Sequence, residues 1–139
     1  MIPKYYVDTC IWRDFGEQRK DKFRPLGEWA FEFFKKVKES KEIRLYSDLV
    51  VRELSLAYSE SKIQELFSFI LEDQALVKIE IKESQFQEAI RIKKEKQFPY
   101  SDLLHAILAR DSQAILITRD KHFLELLDLV MIKKPEDLL

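Results

Sequence analysis

Four acidic residues stand at positions that ordinary surface chemistry explains poorly. Asp8 and Asp120 follow apolar runs predicted to be β-strands, Asp102 opens a predicted helix rich in Leu, Ile and Ala, and Glu53 lies within another predicted helix. If the four carboxylates converge, their repulsion forbids full ionisation unless cations lie among them. Oxygen ligands without His or Cys favour Mg²⁺ or Mn²⁺ over zinc. Because such ions can bind a phosphodiester and activate water, the pattern indicates metal-dependent phosphodiester hydrolysis.

Three of these acids have an equally ordinary structural explanation. Asp8 and Asp120 are suited to cap a helix N-terminus, which contributes about 1 kcal/mol. Asp102, in the first turn of its helix, gains about 0.3–1 kcal/mol from the helix dipole. Taken one at a time, these residues therefore do not require a functional site.

The position of Glu53 favours a function more strongly. In a helix predicted over residues 48–58, the residues one turn before and after Glu53 are all apolar: Leu49, Val50, Leu56 and Ala57. An unpaired buried carboxylate costs several kcal/mol, so Glu53 must be paired, coordinated or protonated. An internal salt bridge or a position at the edge of the core is the structural alternative.

The helix that begins near Asp102 carries His105, Ala106 and Ala109 on the same face. We expect the two alanines to leave open volume beside the Asp102 carboxylate. We expect His105 to be a core or supporting residue rather than a metal ligand.

Composition excludes several classes of protein. The 139 residues suit one domain, with residues 1–139 forming a single unit. One cysteine, Cys10, excludes a disulfide framework, and the two histidines lack the spacing of a zinc protease. Two glycines are too few for a glycine-rich phosphate-binding loop. The net charge of −1 requires any nucleic-acid contact to use a local patch.

The chain contains no apolar run near 18 residues, and its N-terminus lacks a signal-peptide pattern. We therefore expect a cytoplasmic protein that does not associate with a membrane.

Predicted strands and helices alternate along the chain. The predicted strands are residues 5–7, 43–47, 77–81, 115–118 and 130–132; the predicted helices begin near residue 8 and cover 28–39, 48–58, 61–73, 86–96, 101–110 and 123–127. Residues 13–25 are predicted to form the end of the first helix and a loop. This alternation indicates an α/β fold with three α/β/α layers and a mostly parallel central sheet of about five strands.

Four segments, in order, resemble the successive motifs of PIN-domain nucleases. They are Tyr6-Val7-Asp8-Thr9-Cys10-Ile11-Trp12, Ser47-Asp48-Leu49-Val50-Val51-Arg52-Glu53-Leu54, Pro99-Tyr100-Ser101-Asp102-Leu103-Leu104-His105-Ala106 and Thr118-Arg119-Asp120-Lys121-His122-Phe123. In length and order the chain looks most like the VapC-type toxin ribonucleases of toxin–antitoxin pairs. The resemblance covers essentially the whole chain, although no single motif is specific.

The resemblance implies a Mg²⁺- or Mn²⁺-dependent endoribonuclease that is usually a homodimer, with a possible cognate antitoxin. By matching position, the catalytic and metal-binding acids would be Asp8, Glu53, Asp102 and Asp120, with Thr118 as a supporting hydroxyl. Cys10 departs from the Ser or Asn that the family often has there, which we expect to affect packing or hydrogen bonding near the site.

Contacts to an RNA substrate are predicted for Thr118, Arg13 and Arg119. A basic and aromatic strip could bind single-stranded RNA, with a solvated surface as its alternative; it comprises Arg13, Arg19, Lys20, Lys22 and Arg24 with Trp12, Phe15 and Phe23. The alternative function is a catalytically silent PIN-like module that binds RNA or a protein. A phosphatase is disfavoured because Cys10 stands where a second aspartate would be needed.

Overall fold

The structure is a computed structural model that describes residues 2–71 and 75–139. The strands are β1 (Lys4–Val7), β2 (Ile43–Tyr46), β3 (Leu76–Lys78), β4 (Ile115–Ile117) and β5 (Ile132–Lys133). The helices are α1 (Thr9–Glu17), α2 (Leu26–Glu39), α3 (Asp48–Ser55), α4 (Glu60–Leu71), α5 (Glu83–Lys96) and α6 (Tyr100–Asp111). Two 3₁₀ helices follow β4 and β5, at Lys121–Leu126 and Pro135–Leu138.

The five strands form one sheet in which every pairing is parallel, in the order β3-β2-β1-β4-β5. The predicted α/β class and strand number are thus confirmed. β1 is central: β2 pairs with one of its edges and β4 with the other. In open α/β sheets, ligands bind where the strand order reverses in this way, outside the carboxyl ends of the strands.

Helices cover both faces of the sheet. The rings of Tyr5 and Phe33 on α2 lie 5.5 Å apart, whereas the next residue, Tyr6, lies 5.5 Å from the ring of His105 on α6. Because successive side chains of a strand point to opposite faces, α2 and α6 lie on opposite sides of β1. Coverage on both faces explains why even Arg44 on β2 is fully buried.

An aromatic cluster fills the core on the α2 side. Trp12 on α1 is fully buried, and its ring centroid lies 4.7 Å from those of Phe34 on α2 and Phe67 on α4. The start of α2 also approaches the end of α1 closely. A Cβ atom added at Gly27 would lie 2.6 Å from the Cα atom of Gln18, so this approach requires glycine.

Element boundaries differ from the predictions at several points. β3 covers Leu76–Lys78 rather than the predicted 77–81; it lies at an edge of the sheet, and Val77 is 40% exposed. By contrast, α1 ends at Glu17, within the segment 13–25 predicted to contain the end of the first helix, because Gln18 adopts a left-handed conformation (φ 48°). A 3₁₀ helix at Lys121–Leu126 replaces the helix predicted over 123–127. Residues 72 and 73 of the helix predicted over 61–73 lie outside the described residues.

Each helix in the described ranges is too short or too polar to span a lipid bilayer.

Candidate active site

Asp8 lies at the carboxyl end of the central strand and is almost completely buried. Its Oδ1 accepts the backbone N–H of Thr9 at 2.8 Å, so it caps α1 as its sequence position allows. Its Oδ2 accepts the Thr118 hydroxyl at 2.8 Å and lies 3.3 Å from the Cys10 thiol. The Asp8 side chain therefore caps α1 in a fixed orientation. The three groups that donate to it are all uncharged, so none of them neutralises its negative charge.

Thr118 connects this carboxylate to the end of the neighbouring strand. Besides donating to Asp8, its oxygen accepts the backbone N–H of Asp120 at 3.1 Å. The Asp120 carboxylate accepts the backbone N–H of His122 at 2.9 Å and so caps the first 3₁₀ helix. Both aspartates are thus held at adjacent strand ends by one buried hydroxyl.

Glu53 projects from α3 toward the same edge of the sheet. Its Oε1 accepts the Thr9 hydroxyl at 3.2 Å and is in close hydrogen-bond contact with His105 Nε2. The same Nε2 lies 3.8 Å from Asp8 Oδ1, so one imidazole touches both carboxylates.

The predicted apolar surroundings of Glu53 are only partly present. α3 ends at Ser55, and Leu56, expected one turn beyond Glu53 on the buried face, is 86% exposed. The prediction of a continuous apolar face was therefore wrong, because the helix stops before that turn. The Glu53 side chain remains 30% exposed at the edge of the site.

Asp102 lies half-buried in the first turn of α6, and its environment is strongly negative. Burial, and after it the charges of Asp8 and Asp120, together raise the pKa of Asp102 from 3.8 to about 6. Ligand atoms of Asp102, Asp120 and His122 lie within 4.8 Å of one another. The structure therefore brings Asp102 to the other predicted acids.

The open volume expected beside Asp102 is absent from this face of α6. Ala106 and Ala109 are both fully buried, and α6 packs on β1 and β4. Their small side chains let the helix approach the sheet closely, so this expectation was wrong.

The cluster carries more negative charge than its neighbours balance. Among residues in the described ranges, the ion pairs to its carboxylates come from His105 and His122, with no lysine or arginine. For His105, burial opposes the charged ring, but the hydrogen bond to Glu53 and the charge of Asp8 leave its pKa raised. The carboxylate oxygens form a donor set that suits Mg²⁺ or Mn²⁺, with the exposed His122 imidazole beside them.

A family model described as PIN domain matches residues 5–127. The chain belongs to the PIN domain family. A comparison with curated protein sequences gave no match.

Solved structures show the same fold at low sequence identity. A chain of VapBC2 from Rickettsia felis, bound to a promoter DNA fragment, is 16% identical with a TM-score of 0.68, covering 94% of this chain and 98% of its own. A chain of FitAcB from Neisseria gonorrhoeae is 18% identical with a TM-score of 0.62, covering 95% and 98%. VapC20 from Mycobacterium tuberculosis, a sarcin-ricin loop cleaving toxin, is 15% identical with a TM-score of 0.62, covering 88% and 94%.

The three predicted substrate contacts of this PIN domain lie in different environments. Thr118 is 1% exposed and is occupied by the two aspartates. Arg13 lies on the surface of α1, where its Nε donates to Glu17 at 2.9 Å. Arg119 makes a bidentate pair with Glu136 at 2.7 and 2.9 Å. The structure thus brings Thr118 into the acidic cluster and engages both arginines elsewhere.

The predicted basic and aromatic strip is not one continuous surface. Trp12 belongs to the core, whereas Phe23 is fully exposed. Arg19 and Arg24 lie beside carboxylates, with Arg19 pairing Glu17 and Arg24 pairing Asp21. The solvated-surface alternative therefore describes most of this segment.

Two histidines of the PIN domain hold positions that the sequence did not assign to the site. His105 contacts Glu53, in agreement with a supporting rather than a ligating residue. His122 lies beside Asp120, with Nδ1 3.2 Å from Oδ1. Its place two residues after an aspartate at a strand end was the available sequence signal.

Proposed function

We propose that this PIN domain is a Mg²⁺- or Mn²⁺-dependent endoribonuclease and the toxin of a toxin–antitoxin pair. The observation that carries the proposal is the convergence of Asp8, Glu53, Asp102 and Asp120 at the carboxyl edge of the sheet. Burial and the charges of Asp8 and Asp120 raise the pKa of Asp102, and repulsion among carboxylates of this kind favours the binding of cations. PIN domains are generally nucleases, which agrees with this chemistry.

The four acids would hold the metal, and His122 could add a nitrogen ligand. Bound ions would lower the pKa of an attacking water and stabilise charge on the phosphate and the leaving oxygen. The chain itself orients two of the carboxylates: the Thr118 hydroxyl donates to Asp8, and the backbone N–H of His122 donates to Asp120. The Glu53 and Asp120 side chains are 30% and 39% exposed, so a phosphodiester could reach the cluster from solvent.

The comparisons support the proposed partners. FitAB is bound to a DNA fragment in one similar structure, and another is a toxin–antitoxin complex from Klebsiella pneumoniae. By analogy we propose a cognate antitoxin protein for this chain, a homodimeric state and action in the cytoplasm. The RNA substrate is proposed by analogy with VapC20, whose substrate is the sarcin-ricin loop.

The deciding experiment incubates the purified protein with labelled single-stranded RNA in Mn²⁺, in Mg²⁺ and in EDTA. We expect cleavage with either metal and none in EDTA. Asp8→Asn should abolish cleavage, whereas Glu39→Gln, at an exposed position at the end of α2, should cut like the unaltered protein. A single-stranded DNA of the same sequence tests the preference for RNA.

Each departure from that result has a distinct meaning. RNA binding without cleavage under every metal condition would replace the nuclease by a silent binding module. Cleavage that survives both EDTA and Asp8→Asn would assign the activity to a contaminant.

A further inference from the structure

Three fully buried polar side chains form a hydrogen-bonded chain that ends at Glu53. The Ser47 hydroxyl lies 2.7 Å from the Tyr6 hydroxyl, which lies 2.8 Å from His105 Nδ1. The opposite ring nitrogen, Nε2, contacts Glu53. Ser47, Tyr6 and His105 are each 0% exposed. The hydrogen-bonded chain thus links β1 and the start of α3, through His105 on α6, to the acidic cluster.

The Ser47 hydroxyl does not cap the helix at whose start it lies. Ser47 occupies the N-cap position of α3, where a serine side chain ordinarily accepts a backbone N–H and stabilises the helix by about 1 kcal/mol. Its side chain makes no such bond here and instead contacts Tyr6. The hydroxyl thus serves the buried chain rather than the helix.

The direction of the last hydrogen bond follows from chemistry. An ionised carboxylate only accepts, so His105 Nε2 must donate to Glu53. Nδ1 can accept from Tyr6 when the ring is neutral and donate to it when the ring is charged, and Nε2 donates to Glu53 in both states. The bond to Tyr6 fixes the ring plane in either case.

Of these three residues, His105 is the one that forms an ion-pair contact with Asp8: its Nε2 lies 3.8 Å from Asp8 Oδ1. Asp8 comes from the end of β1 and is held by Thr9 and Thr118. Glu53 comes from α3 on a longer side chain that is 30% exposed. Without the imidazole, its contact within the described cluster would be the Thr9 hydroxyl, at 3.2 Å.

We propose that His105, oriented by Tyr6 and Ser47, is a positioning residue that holds the Glu53 carboxylate toward Asp8 for binding of a shared divalent cation. The inference rests on the proposed metal-dependent nuclease. Groups that orient the ligands of a metal change its affinity by about 10–100-fold when removed.

The test measures Mn²⁺ affinity by electron paramagnetic resonance of free Mn²⁺, together with RNA cleavage, on the full chain. His105→Leu should weaken Mn²⁺ binding by about 10–100-fold. His105→Gln, whose amide can still donate to Glu53, should recover most of that loss. Tyr6→Phe, which leaves the imidazole in place but removes its partner, should lie between the two.

A second variant of α6 distinguishes loss of Glu53 positioning from general destabilisation of the helix. Leu108→Ala alters another buried position of α6 and should lower the melting temperature while leaving Mn²⁺ affinity unchanged. If His105→Leu does not fold, Tyr6→Phe and His105→Gln still decide, because both keep most of the buried volume.

The proposal is overturned if folded His105→Leu or Tyr6→Phe binds Mn²⁺ as tightly as the unaltered chain, or if Leu108→Ala weakens binding equally. Failure of the unaltered chain to bind Mn²⁺ and to cleave RNA would overturn the proposed nuclease as well. The two failures therefore give different results in the unaltered chain.

Discussion

Two acidic clusters lie on either side of the segment that follows β4, and they are neutralised in opposite ways. In the first cluster, Asp14 and Glu136 both pair with Arg119. The Arg119 Nε lies 3.2 Å from Asp14 Oδ2, and its two terminal nitrogens donate to Glu136. The Arg119 guanidinium also lies 5.6 Å from the centre of the Trp29 ring. In the second cluster, which comprises Asp8, Glu53, Asp102 and Asp120, imidazoles are the only partners among the described residues that can carry a positive charge.

The difference shows that burial of carboxylates does not by itself mark an active site. Arg119 joins α1, the segment after β4 and the C-terminal 3₁₀ helix, so the first cluster fastens three parts of the fold together. In the part of the chain that the structure describes, no arginine or lysine pairs with the second cluster, so its negative charge is available to a metal cation from solution. If one cluster serves stability and the other metal chemistry, five expected outcomes follow.

The largest effect is expected for Asp102→Asn. Metal ions stabilise the charge of a hydrolytic transition state by several kcal/mol, so removing a ligand should lower the cleavage rate by about 1000-fold. The measurement is initial rate on labelled RNA in saturating Mn²⁺. Retention of more than a tenth of the rate would remove Asp102 from the proposed metal site.

The same variant should stabilise the metal-free protein. An acid whose pKa is raised from 3.8 to about 6 in the folded state disfavours folding where it is ionised. At pH 7, Asp102→Asn should therefore unfold at a higher denaturant concentration than the unaltered chain in EDTA. The difference should shrink as the pH falls from about 6 toward 3.8, because Asp102 then becomes protonated in both states.

Arg119→Leu should have the opposite signature. Removing one partner of a buried ion pair typically costs about 3–5 kcal/mol, and the loss here should approach the lower figure because the side chain is 12% exposed. We expect a lower denaturation midpoint in EDTA, with Mn²⁺ affinity unchanged at temperatures where the variant is folded. Loss of Mn²⁺ affinity without loss of stability would contradict the division of roles between the two clusters.

A smaller effect is expected from metal addition to the unaltered chain. A ligand that binds only the folded state at about 100 times its dissociation constant adds about 2.7 kcal/mol of stability. Thermal unfolding with and without Mn²⁺ should show this rise in the unaltered chain and little of it in Asp102→Asn. Equal stabilisation of both would place the bound Mn²⁺ outside the acidic cluster.

The smallest effect is expected for His122→Gln. His122 is exposed, and imidazole suits Mn²⁺ better than Mg²⁺. The variant should lose a few-fold in Mn²⁺ affinity and almost nothing in Mg²⁺ affinity, so the ratio of the two constants is the quantity to measure. An unchanged ratio would exclude His122 as a ligand.

The sequence predicted the elements whose pattern is set by burial. The apolar run of β4 and the position of Asp8 after β1 follow from a sheet covered on both faces, and both were confirmed. The end of α3 at Ser55 and the short β3 were not predicted, because an apolar residue such as Leu56 or Val77 carries no mark of being exposed.

The partners of the site's side chains were harder to predict from the sequence than the strands and helices that carry them. Arg119 was predicted to contact RNA, but its pairing with Glu136 depends on where the C-terminal 3₁₀ helix packs. His105 was expected to be a core or supporting residue, yet its bond to Tyr6 spans 99 positions and the bond from Tyr6 to Ser47 spans 41. Long-range contacts of this kind are set by topology, not by local sequence.

The central place of the first strand has a consequence for synthesis. Asp8 is synthesised well before β4, which holds the other edge of β1, and before Asp120. The acidic cluster therefore cannot assemble on a nascent chain that ends before residue 120. The order of strands would thus delay metal binding until the ribosome has passed this residue, although the first of the four carboxylates is made much earlier.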